Sequence, residues 1–128
     1  MIFRTPGRSS LKKKARRGFR GYPIATVALY GPDDRLASKV VVGIVASENA
    51  QADPLERWIS TDHDIRTDIS IERAIVDLIT RYGVKTVVIT DRIIGCPHEE
   101  GIDYPAGAPC PQCPFWRNRD RWTGEIIQ

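Results

Sequence analysis

The stretch ISIERAIVDLITRYGVKTVVIT, residues 69–90, decides the fold class. In its first half, Ile71, Ala74, Ile75, Leu78, Ile79 and Tyr82 recur at the spacing of one helical face. Asp68 or Ser70 offers an oxygen to cap the start of that helix. Gly83 stands where a left-handed C-terminal cap favours glycine. The second half, residues 84–90, is rich in β-branched residues and reads as a strand that is central in its sheet. A helix feeding a strand through one glycine is compact α/β packing.

Working back toward the N-terminus, residues 24–30 and 38–46 read as two further strands. Gly31-Pro32-Asp33-Asp34 between them is turn chemistry, because proline presets the turn and aspartate accepts local backbone donors. Both strands are apolar on both faces, so part of this hairpin is expected to be covered on two sides. Gly43 suggests a bulge. Residues 47–67 are polar and mixed, with Leu55, Trp58 and Ile59 as anchors for a helical turn or an edge strand.

Beyond residue 94 the character changes. Gly95, Pro97, Gly101, Pro105, Gly107, Pro109 and Pro111 exclude regular structure over that span. A long irregular segment in a small domain needs something to hold it. The three cysteines of the chain all lie here, as Cys96-x-His98, eleven residues, then Cys110-x-x-Cys113. An odd number of cysteines confined to one short segment is a poor disulfide framework and a good metal site. Zinc takes four thiolate or imidazole ligands in structural sites. One intervening residue places Cys96 and His98 on one side of an extended chain, and a tight turn presents Cys110 and Cys113 together. The expected site is therefore a structural zinc ion held by Cys96, His98, Cys110 and Cys113.

The Cys-Pro-x-Cys segment resembles the knuckle of zinc ribbons, with Pro114 where glycine commonly follows. The Cys-x-His pair resembles part of a RING finger, but a second ligand set is absent. His98-x-Glu100 followed by Pro109-Cys110-x-x-Cys113 resembles the signature of the zinc deaminases, in which the glutamate shuttles protons. Only nine residues separate Glu100 from Cys110, and their glycines and prolines cannot form the helix and strand a deaminase needs there. Residues 95–122, with Cys-Pro-His-Glu-Glu-Gly-Ile-Asp-Tyr-Pro and Cys-Pro-Gln-Cys-Pro-Phe-Trp, resemble a family of small bacterial proteins sharing that phrase. This resemblance implies no activity, substrate or partner.

The formal net charge of +3 conceals a division within the 128 residues. Residues 1–32 hold no acidic residue, and the first twenty carry eight positive charges, including Lys12, Lys13, Lys14, Arg16, Arg17 and Arg20. The remainder is net acidic. Residues 1–21 therefore read as a disordered basic arm for RNA or DNA, and residues 22–128 as a single α/β domain that includes a zinc-binding module over 95–122. Arg117, Arg119 and Arg121, interleaved with Phe115, Trp116 and Trp122, add a second set able to stack on bases and bind phosphate. Trp116 has a second reading, as a cover for the metal.

No stretch approaches the roughly 18 consecutive apolar residues of a membrane span, and no apolar run follows the basic N-terminus as a secretory signal requires. A cytoplasmic location and no membrane partner are the expectation. The fold is expected to be a small α/β domain with a β-hairpin, an amphipathic helix and a third strand, followed by a zinc-bound irregular C-terminal module. The favoured function is a zinc-stabilised module binding nucleic acid or a ribonucleoprotein. The alternatives are a metal-dependent, deaminase-like hydrolase using Glu99 or Glu100 as base, and a protein–protein adaptor docking through residues 116–122. Asp62-His63-Asp64, with Asp68 nearby, is read as a solvated loop in preference to a second metal site.

Overall fold

The computed structural model describes residues 10–117 and residue 119. It is a mixed α/β structure. A short helix α1 (Ser10–Arg16) precedes strands β1 (Ile24–Tyr30), β2 (Lys39–Val45) and β3 (Leu55–Ile59). Helix α2 (Ile69–Arg81) and strand β4 (Thr86–Ile93) follow. The four strands form one sheet in the order β3-β2-β1-β4. The β1–β2 and β2–β3 pairs are antiparallel, and β4 runs parallel to β1.

Alternation fixes which face is buried. Ala25, Val27 and Leu29 of β1 point to the same side as their cross-strand partners Ile44, Val42 and Val40 of β2. Val87 and Ile89 of β4 lie beside Ala25 and Val27 and extend that surface. Ile75, Leu78 and Ile79 of α2 join the same core. Each fully buried side chain of this kind stabilises the fold by roughly 1.5–3 kcal/mol. Asp68 is the residue that caps α2, its Oδ1 accepting from Ile71 N at 3.0 Å. At the other end Gly83 takes φ +63°. Tyr82 departs from the expected apolar face and is 44% exposed.

Several expectations need correction. The strand after α2 lies at the sheet edge instead of the centre. The α2 crossover returns the chain beside β1, and nothing pairs beyond it among the described residues. Val88 on its outer face is accordingly exposed. There is no bulge at Gly43, where pairing to both neighbours is continuous. The glycine is needed for close approach, since a Cβ there would come within 2.9 Å of Ala52 Cβ and Leu55 Cδ2. The irregularity lies between Val27 and Leu29, where Leu29 N donates to the Thr90 hydroxyl. In β3 only Trp58 packs on the core; Leu55 and Ile59 face away and are exposed.

The basic arm also departs from expectation over residues 10–16. Those residues form α1, and Leu11 is completely buried in the core. Leu11, with Ala15 packed partly against the core, seats the helix, while Lys13 and Arg16 stay exposed. Residues 1–9 lie outside the described part. No helix among the described residues is long and apolar enough to cross a membrane.

Candidate metal centre

The C-terminal segment lies beside Lys39 of β2 and Arg57 of β3, which bond to its residues 97 and 99. Strand β4 hands the chain to this segment through two backbone bonds, Ile94 N to Leu29 O and Gly31 N to Gly95 O. Cys96 follows at once. Gly31 O in turn accepts from Trp116 Nε1 at 2.8 Å. Both ends of the segment are thus fastened to one residue of the β1–β2 turn. Gly31 has no alternative there, because a Cβ would fall 1.9 Å from Leu36 O.

Between these anchors the four expected ligands converge. Cys96, His98, Cys110 and Cys113 present one ligand atom each, all within 4.8 Å of one another. His98 Nδ1 lies 3.2 Å from Cys96 Sγ and 3.5 Å from both Cys110 Sγ and Cys113 Sγ. A tetrahedral ion with metal–sulfur bonds of about 2.3 Å and metal–nitrogen bonds of about 2.05 Å places nitrogen and sulfur about 3.6 Å apart. The four donors therefore lie close enough to bind one metal ion, and Nδ1 is the imidazole atom that faces it. Cys110 and Cys113 are buried, while Cys96 and His98 are half-buried. Burial pushes the Cys96 and Cys113 thiols upward, and a neighbouring cation is what makes thiolates stable in such a place. His98 N already donates to Cys96 Sγ at 3.2 Å, a bond that favours the thiolate.

The acidic residues beside the cluster are each engaged by partners within the protein. Glu99 is bound by Arg57 (Nε–Oε2 2.5 Å) and by Lys39 (Nζ–Oε2 2.8 Å), and Arg57 followed by Lys39 holds its carboxyl below the usual range. A carboxylate so stabilised is a weak base. Lys39 is almost fully buried and also donates to Pro97 O at 2.8 Å, so β2 grips the metal loop directly. Glu100 Oε2 accepts from Gly107 N, and Asp103 Oδ2 accepts from Glu99 N. Residues 101–109 form turns, without the helix and strand of a deaminase. A tetrahedral ion held by all four residues would have each of its positions taken by a protein donor.

Elsewhere, His63 stands between two carboxylates, with Nδ1 2.6 Å from Asp62 and Nε2 2.7 Å from Asp68. Asp64 turns away to Ala37 N and Arg66. These groups do not converge as a ligand set.

The basic residues separate into two groups. Lys13, Arg16, Arg17 and Arg20 are exposed, while Lys12 and Lys14 are half-buried. Arg117 is exposed, whereas Arg119 lies 4.1 Å over the Phe115 ring and donates to Phe115 O. Arg121 and Trp122 lie outside the described residues. Sequence reasoning missed Lys39 and Gly31 as supports of the centre, and Phe19, 68% exposed beside the basic helix. A lysine opening a valine run carries no local sign of burial. A Phe-Arg pair between two glycines is a sign that was available.

No protein-family model matches the chain, and neither a curated protein nor a solved structure matches it with significance.

Proposed function

We propose that the protein is a zinc-stabilised binding module of the reducing cytoplasm that engages nucleic acid, free or in a ribonucleoprotein, through its basic helix α1. Zinc suits the donor set: three sulfurs and one imidazole in tetrahedral reach favour it over oxygen-seeking ions. Its role is structural, holding a segment whose regular structure among the described residues is limited to one 3-10 turn, Pro114–Trp116, and an isolated bridge between Glu100 and Tyr104.

One observation carries the nucleic-acid reading. Leu11 is buried in the core, so the helix has a fixed orientation and its exposed cations point away from the body together. Phosphate backbones recognise such a cluster through counterion release, a mechanism that needs no pocket. The experiment is binding of labelled RNA and DNA by anisotropy across a salt series. A triple variant Lys13→Gln, Arg16→Gln, Arg17→Gln keeps Leu11 and the fold. It is expected to flatten the slope of log affinity against log salt by roughly 2 to 3, since each phosphate contact contributes about 0.7 to 0.9. Binding that ignores both salt and these substitutions would refute the reading.

A further inference from the structure

We infer that the nucleic acid is single-stranded and that Phe19 is the platform on which an unpaired base stacks. The inference rests on the nucleic-acid reading above and deepens it. Phe19 is 68% exposed, an unusual state for a ring that could turn inward. It is held out by construction. Two residues past the end of α1, Gly18 takes φ +72° and donates to Ala15 O. On the other side, the buried Thr86 hydroxyl accepts from Arg20 N at 2.8 Å and donates to Gly21 O at 2.7 Å. Phe19 thus sits on a short loop fixed at both ends, with Leu11 seating the helix before it.

The ring has a defined neighbour. Tyr22 meets it edge to face, with centroids 5.7 Å apart and planes at 75°. Such a contact orients the ring, which still exposes 68% of its surface. The exposed Arg16, Arg17 and Arg20 flank it closely along the chain, and Lys85 lies beside Gly21. An exposed aromatic ring among closely spaced cations is the combination that binds bases and phosphates of a single strand. Bases in a duplex are already stacked and cannot reach such a ring. An anionic membrane would also attract the cations. However, Leu11 faces the core and Ala15 packs partly against it, leaving α1 no outward apolar stripe to insert.

The test compares wild type, Phe19→Ala and Phe19→Trp by anisotropy. The probes are an unstructured single-stranded RNA, a single-stranded DNA of the same sequence, and a duplex of equal length. Flotation with phosphatidylserine vesicles is run alongside. Expected results are tighter binding of single strands than of duplex, and loss of roughly fivefold or more in Phe19→Ala for single strands only. Phe19→Trp should restore that loss. Phe19 is exposed, so circular dichroism and melting of the variants should match wild type. Salt-sensitive binding that is equal for duplex and single strand, and indifferent to Phe19, would overturn the stacking inference while sparing the wider reading. Vesicle binding without nucleic-acid binding would overturn both.

Discussion

Lys39 Nζ stands 2.8 Å from Glu99 Oε2, joining the first residue of β2 to the loop that carries Cys96 and His98. The lysine is 4% exposed, and its ammonium is partnered by this carboxylate and by Pro97 O. Removing one member of a buried pair leaves the other uncompensated. Lys39→Ala is expected to lower stability by about 2 kcal/mol, less than for a fully buried pair because Glu99 keeps 29% of its side chain exposed. Urea unfolding checks this, and an unchanged midpoint would show that the pair does not tie the loop.

The same carboxylate sets an acid limit. Arg57 and then Lys39 depress the Glu99 pKa below its ordinary 4.5. Its contribution is therefore complete above pH 4.5 and is lost as pH falls through the lower folded-state value. In Glu99→Gln that part of the acid decline should vanish. The measurement is unfolding free energy for both proteins in a series of buffers below pH 4.5.

His63 gives a dependence of opposite sign. Asp68 first, and then Asp62, raise its pKa above 6.5 by accepting from the ring. The contribution is fully present below pH 6.5 and is lost as pH rises through the raised value. Asp68 also caps α2, so helix fraying should accompany the loss. Melting temperatures should fall over this window in wild type and stay level in His63→Gln.

Chelation should act on one part of the molecule. Dialysis against a strong zinc chelator is expected to abolish slow hydrogen exchange over residues 95–117 and to lower the melting temperature, with one zinc recovered per chain. Cys113→Ser should reproduce the effect without chelator. Protein that is free of metal and yet keeps full protection there would contradict the structural role.

Leu11→Ala distinguishes a docked helix from a loose arm. A fully buried leucine cut to alanine costs about 2–4 kcal/mol, whereas an arm outside the core costs nothing measurable. Gly31→Ala tests the other junction. The clash with Leu36 O should cost about 3 kcal/mol and weaken metal retention together with folding, because Gly31 joins both ends of the segment to the sheet. Thermal melts and zinc release by a colorimetric chelator read the two effects.

The sequence by itself determined what depends on near neighbours. The apolar period of residues 71–79 and the flanking Asp68 and Gly83 specify α2, because a helix is a local object. Strand β1 matches its expected range and β2 lies within a residue at each end, bounded by turn chemistry. The set of Cys96, His98, Cys110 and Cys113 was legible because ligand type and spacing are dictated by the ion. Only the tertiary structure decided the rest. It put β4 at the edge, seated Leu11 in the core, and buried Lys39 against a partner 60 residues away. It also bound Trp116 to Gly31 across 85 residues. Such contacts leave no periodic trace in the chain, since each is a meeting of two distant positions whose own surroundings would suit many other partners equally well.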